Sequence, residues 1–348
     1  MKFLTYILIL GSLAAAQNKA RDESKKPLTL ASQGSFFVGG EYKTVPSNGR
    51  GAAGEITVNQ MYVQFQIPIN GDRHVPVVMV HGCCLSSKTW ETTPDGRMGW
   101  NEYFVRKDRP VYMADQVSRA RSGFDPSGIN AVKAGTVPPA QLPSVLAATH
   151  QSAWSIFRFG PKFNEPFADE QFPIEALDEL YKQMIPDLNS TLPNPNPTWK
   201  DMAALAVKLN GAVLMGHSES GFFPEQAALT DPSGVKGLIS IEMPCPELAP
   251  AQIATLARIP TLVMFGDHLS DMPGAGPGNW AASFESCNKF VQQLKDKGGD
   301  AEMMHLPKLG IKGNSHMLMQ DRNNLQLADL ILAWIDGHVE NKKGSAKR

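Results

Sequence analysis

The sequence predicts an α/β fold, a mostly parallel central sheet flanked by helices and carrying a cap insertion. Three observations predict it. Short apolar, β-branched runs recur at Val75–Val80, Val111–Asp115, Ala212–Met215, Val235–Ile241 and Pro260–Phe265, each ending in polar or small residues, as buried-type strands do. The segment Gly216-His217-Ser218-Glu219-Ser220-Gly221 turns one of these strands sharply toward a helix. The chain then closes on an amphipathic stretch, Asn323 to His338, with Leu325, Leu327, Leu330, Ile331, Leu332 and Trp334 on one broad face, which reads as a helix.

Taken in order, residues 1–16 combine one early lysine, an apolar stretch and small residues before Gln17. They read as a secretory signal peptide cleaved after Ala16, too short for a membrane span. Residues 17–34 read as a flexible leader, and the catalytic domain is expected over 35–340. Ser35–Lys43 and Glu55–Ile67 alternate polar and apolar residues, the mark of an antiparallel start to the sheet. Between the strand at Val111–Asp115 and the strand at Ala212 lies an insertion over about 124–197. It holds Trp154, Phe157, Phe159, Phe163, Phe167 and Phe172 and closes in a proline-rich hinge from Pro186 to Pro197. A structureless loop of this length is improbable in a compact domain, so it is read as a helical cap whose aromatics line a pocket or glue the cap to the core. Met303–Leu306 supplies the last strand, and the basic tail 341–348 is expected to be disordered.

The chemistry centres on Ser218. A serine hydroxyl attacks carbonyls only when a tight strand-to-helix turn exposes it beside a base and leaves the next backbone N–H, here that of Glu219, for an oxyanion. The usual G-x-S-x-G appears as G-x-S-x-S, with Ser220 in the last place and Gly221 after it. An ordinary loop with Ser218 as a helix N-cap is the competing reading. Of eight histidines, His316 stands in a glycine-rich loop between the last strand and the final helix, where this plan delivers its base. His305 lies inside a strand, and His81 and His217 flank functional loops out of order. A neutral histidine base predicts activity rising with pH through roughly 6 to 8. Two acids compete: Asp267 follows the seventh strand and Glu242 the sixth. Val80-His81-Gly82 ends in the usual place of a second oxyanion donor. Four cysteines, Cys83, Cys84, Cys245 and Cys287, permit three full pairings in an exported chain.

The order strand, nucleophile, acid, histidine resembles the α/β-hydrolase fold, and Asp115 to Ser122 resembles its D-x-x-G-x-G-x-S loop with Ser118 and Ala120 at the glycine positions. More narrowly, His81-Gly82-Cys83-Cys84-Leu85 followed by the Trp90-Glu-Thr-Thr-Pro-Asp-Gly96 run resembles the bacterial (Alcaligenes) serine esterases that carry a disulfide between adjacent cysteines in the oxyanion loop. The similarity spans about residues 35 to 335. It implies Ser218 as nucleophile, His316 as base, Glu242 as acid with Asp267 as the alternative, and the N–H groups of Cys83 and Glu219 as oxyanion hole. It also implies a Cys83–Cys84 bond and, with it, one between Cys245 and Cys287.

A formal charge of −1, 42% hydrophobic and 19% charged residues describe an ordinary globular protein with no electrostatic case for nucleic acid or an anionic membrane. A small-molecule ester substrate, no cofactor and no metal site are expected. His268 beside Asp267 lacks a second ligand pair. Asn189-Ser-Thr is a glycosylation sequon if the source is eukaryotic. Localisation is expected to be secreted, extracellular or periplasmic. The competing functions are a lactonase or amidase with the same triad, and a non-catalytic binding protein on a hydrolase scaffold. The natural substrate and oligomeric state are not legible, a homodimer being one option.

Overall fold

The computed structural model describes residues 26–47, 51–271 and 279–340. β1 (Leu30–Val45) and β2 (Gly54–Pro68) form a long antiparallel hairpin. β3 (Val77–Val80), β4 (Val111–Asp115), β5 (Ala212–His217), β6 (Val235–Ile241), β7 (Thr261–Phe265) and β8 (Ala301–His305) complete one eight-stranded sheet in the order β1-β2-β4-β3-β5-β6-β7-β8. β2 meets β4 antiparallel, and every pairing from β4 across to β8 is parallel. The expected α/β fold is present.

The parallel strands are continuous apolar runs because both faces are covered. Val77 and Met79 of β3 and Val213 and Met215 of β5 pack into one core layer, while Val78, Val80 and Leu214 pack into the other, since alternate side chains on a strand point to opposite faces. α1 (Trp100–Arg106) covers the first face. The insertion comes next, with α2 (Ser127–Lys133), α3 (His150–Ile156) and α4 (Leu177–Gln183). The opposite face is covered by α5 (Pro197–Lys208), α6 (Phe223–Thr230), α7 (Pro250–Leu256) and α8 (Trp280–Asp296), and α9 (Asn324–Ile335) returns to the first. α5 starts where the sequence dictates: Pro197 occupies its first turn and the Asn196 side chain accepts the Thr198 N–H at 2.9 Å.

β1 starts at Leu30, earlier than the leader expected over 17–34, because Leu28 and Leu30 pack against the core. The closing helix is regular only to Ile335 and ends in a π-helical turn, Asp336–Glu340, whose acids pair with buried Arg109. Residues 1–16 and 341–348 lie outside the described residues. No described helix is long and apolar enough to cross a membrane.

Of the six insertion aromatics, Trp154, Phe157, Phe159 and Phe172 are buried in the same layer as α1 and α9. They hold the insertion to the core. Phe163 is 39% exposed, and Phe167 stacks on His268 with centroids 3.7 Å apart. In the loop after β4, Ser118 and Ala120 adopt φ of 65° and 41°, the left-handed backbone for which glycine is the ordinary choice.

Candidate active site

The carboxyl ends of the parallel strands meet at one edge of the sheet, where open α/β folds hold their ligands. β3 delivers the Gly82–Cys84 loop, β5 delivers Ser218, β6 Glu242, β7 Asp267, and the loop after β8 delivers His316. Ser218 is partly exposed and sits at φ 59°, a conformation costing of order 1–3 kcal/mol that the surroundings must impose. Those surroundings are visible. A Cβ on Gly216 would collide with the Ser220 carbonyl oxygen, so only glycine lets the turn close. The Ser220 hydroxyl accepts the His217 N–H at 3.1 Å and donates to the Val80 carbonyl at 2.9 Å. Serine in the last place of the motif thus fastens the turn to β3.

The loop after β3 lies directly on this turn. A Cβ on Gly82 would fall 2.8 Å from the Ser218 Cβ and 3.1 Å from the His217 carbonyl oxygen, so residue 82 must lack a side chain for Cys83 to approach the serine. His81 braces the loop from behind: its Nδ1 donates to the Gly82 carbonyl at 2.9 Å and its Nε2 accepts the Gln116 N–H at 3.1 Å. This is one neutral tautomer, and burial, which outweighs the Asp115 charge, lowers its pKa to about 4.

His316 and Glu242 are fully buried, and Nδ1 of His316 hydrogen-bonds Glu242 Oε2 at 3.2 Å. Nε2 of His316 is buried and makes no hydrogen bond, leaving a lone pair for a proton. The ring is clamped between Phe157 and Trp280, with centroids 5.6 and 4.3 Å away. Its backbone N–H donates to the Phe157 carbonyl at 2.9 Å, and its carbonyl accepts from His217 Nε2 at 2.9 Å. Asp267 makes different bonds: its carboxylate accepts the His268 N–H at 2.8 Å and the Gly313 N–H at 3.0 Å, and so holds the loop that carries His316.

Burial alone would raise the Glu242 carboxyl, but the adjacent Arg158 charge and the hydrogen bonds from His316 and Arg158 bring it down to about 2. For His316 burial is the largest effect and lowers the pKa; Glu242 opposes it, Arg158 adds to it, and the net shift is downward. A histidine that serves as base must be neutral, so in that role a lowered pKa extends activity toward acid. The acid limb of kcat/KM is therefore expected to have its midpoint below the ordinary histidine value of about 6.5, lower than the rise through roughly 6 to 8 expected from the sequence alone. A pH series on an ester without titrating groups measures it, and a midpoint above that value would contradict this placement of His316.

Arg158 has no local motif that announces it. Its signal is a lone arginine between Phe157 and Phe159, a charge too embedded to be solvated, and such residues are buried only when paired. Next to Ser218, Glu219 accepts from Arg119 at 3.0 Å, from Gln116 at 3.3 Å and from the Asn189 amide. The sequon nitrogen of Asn189 is thus bonded inside the site.

Cys245 and Cys287 are disulfide-bonded, joining the segment after β6 to α8. Cys83 and Cys84 are not bonded: their sulfurs lie 3.0 Å apart, against about 2.05 Å for a disulfide. The sulfurs are in contact, and the implied vicinal bond would need one further local change. Consecutive Cα atoms are about 3.8 Å apart, below the usual disulfide range, so closure requires twisting the peptide between them.

Three described groups of ligand-type side chains come within 4.8 Å: Cys83, Cys84 and Asp187; His74, Asp336 and Glu340; and Asp169, Asp267 and His268. Asp169 supplies the third member that sequence spacing does not associate with His268. Each group is engaged internally: Asp187 pairs with Arg119, Glu340 with Arg109, and His268 with Asp169 and Asp271.

No family model matches the chain. A solved structure described as a novel bacterial esterase is 49% identical, covers 90% of this chain and 98% of its own, and superposes with a TM-score of 0.85. The chain belongs to this α/β-hydrolase esterase family. A further relative, named probable secreted lipase phiG, from Fungal sp. (strain ATCC 74256), is 23% identical over 379 residues, covering 94% of this chain and 95% of that protein. The enzyme shares its fold with this bacterial relative over 90% of its length.

Proposed function

We propose that the enzyme cleaves carboxylic esters through a Ser218-His316-Glu242 triad and an acyl-enzyme intermediate. The observation that carries this reading is the buried Glu242–His316 hydrogen bond of 3.2 Å, with the opposite ring nitrogen unpartnered, beside a left-handed serine turn. Ser218 Oγ attacks the ester carbonyl as His316 Nε2 takes its proton, and Glu242 fixes the imidazole tautomer and stabilises the imidazolium. The N–H groups of Cys83 and Glu219 bind the tetrahedral oxyanion, a contribution of about 3–4 kcal/mol per donor in such sites. His316 then protonates the departing alcohol, and a water deacylates the serine by the same route in reverse. The residues perform this without a cofactor.

The segment 124–197 caps the site in this reading, and residues 1–16 direct export, so the substrate is a small ester met outside the cytoplasm. A fluorophosphonate probe followed by peptide mapping tests the chemistry. Covalent label on the peptide holding Ser218 is the expected result; no label, or label elsewhere, would overturn it.

Export also brings the oxyanion loop into an oxidising compartment, where the two adjacent sulfurs need to move only from contact to bonding distance. The unreduced peptide holding Cys83 and Cys84 is then expected to be lighter by two hydrogens than the reduced one. A ring this short removes little denatured-state entropy, so Cys83→Ala/Cys84→Ala is expected to lower kcat more than the melting temperature. A peptide linking either residue to Cys245 or Cys287, or an unchanged kcat, would refute the role.

A further inference from the structure

We propose that Arg158 is a positioning residue for the triad: its guanidinium, delivered by the insertion, holds both oxygens of Glu242 so that one of them meets Nδ1 of His316. This rests on the Ser218-His316-Glu242 reading above. Nη1 donates to Glu242 Oε2 at 2.8 Å and Nη2 to Oε1 at 2.7 Å, a two-pronged pair between groups that are both fully buried. Nε donates to the Asp267 carbonyl at 2.9 Å, which fixes the guanidinium against the end of β7. With the Gly266 N–H at 2.5 Å on Oε1, the carboxylate is held from two elements before it reaches the histidine. The planar fork matches a carboxylate in a way a lysine ammonium cannot.

Two adjacent residues of the insertion reach both partners, since Phe157 carries the carbonyl that binds the His316 N–H. The charged and titratable groups around the pair are few. Arg158 comes from the insertion, Glu242 from the end of β6, and His217 from the end of β5, its ring 4.6 Å from that of His316. His305 at the end of β8 interacts with Glu242 from further away, and Glu170 of the insertion does so with Arg158. Burial, then the His316 charge, lowers the His217 pKa well below the usual value, and its buried Nδ1 has no hydrogen-bond partner. Arg158 is therefore the cation that sets the field at the acid and the base.

The test uses Arg158→Lys and Arg158→Ala in the full chain, with melting temperature, kcat, KM and the pH profile measured. Arg158→Lys keeps the charge and loses the fork. It is expected to fold and to lose about tenfold in kcat with KM little changed. Arg158→Ala is expected to lose about a hundredfold and to move the acid limb of kcat/KM up by about one pH unit. Without the cation the imidazolium is less opposed and Glu242 protonates more readily, and both changes silence the base as pH falls. Added methylguanidinium is expected to restore part of the Arg158→Ala activity, which repair of a merely structural defect would not do. Wild-type kcat and an unmoved acid limb in a folded Arg158→Lys or Arg158→Ala enzyme would overturn the role, as would a loss confined to KM. Glu242→Gln separates the two readings. Full activity there would sink the acid assignment itself, whereas a large Glu242→Gln loss beside unaltered Arg158 variants would sink only Arg158.

Discussion

Ser218→Ala is expected to lower kcat for a simple ester by about 10⁶, the loss seen when a triad nucleophile is removed from a hydrolase of this chemistry. The hydroxyl is the only atom deleted, and the turn that carries it is built by Gly216, Ser220 and Gly82 rather than by Ser218 itself. Melting temperature should therefore stay close to that of the parent or rise, because alanine removes no buried hydrogen bond. The measurement is a steady-state assay beside a thermal melt, with fluorophosphonate labelling as a second readout. A folded Ser218→Ala protein that still turns over an activated ester at the parent rate would remove the serine from the mechanism.

The next largest effect is expected at the acid. Glu242→Gln should cost about 10⁴ in kcat, the loss that attends an imidazole left in the wrong tautomer. Here the damage has a second source. Among the described residues Glu242 is the sole carboxylate hydrogen-bonded to Arg158, both groups are fully buried, and a neutral amide leaves that guanidinium charge uncompensated. Removing one partner of such a pair costs about 3–5 kcal/mol of stability. Asp267→Asn is the control: its carboxylate receives two backbone N–H groups, and an amide oxygen can still accept one of them. Its effect on kcat should be a small fraction of that at Glu242. Should the larger loss fall at Asp267 instead, the usual seventh-strand acid operates.

The sheet is legible because its parallel strands are buried on both faces, which leaves runs such as Val77–Val80 apolar at every position. The turn at Ser218 is legible for a related reason: close backbone approach excludes side chains, and that exclusion is written as glycines. The proposed acid is harder, since Glu242 and Asp267 both stand after strands and only the hydrogen bond to His316 separates them. Arg158 leaves no motif at all. Its partner lies far along the chain, and an arginine between two phenylalanines says that it is paired without saying to what. The early start of β1 escapes a sequence reading because Leu28 and Leu30 are isolated apolar residues in a polar stretch, and packing on distant residues decides their state. The state of Cys83 and Cys84 is similarly out of reach, because it depends on the twist of one peptide.

The bonds that assemble the site span long stretches of chain: 84 residues from Arg158 to Glu242, 74 from Glu242 to His316, and 99 from His217 to His316. None of them can form while only local structure is present, and each must be preceded by closure of the loop it spans. The geometry around the serine is consequently a product of tertiary assembly and not of local structure. Under the proposed mechanism, a chain with its helices formed and its sheet incomplete would hold Ser218 without His316 or Glu242 beside it, and so is expected to be chemically silent.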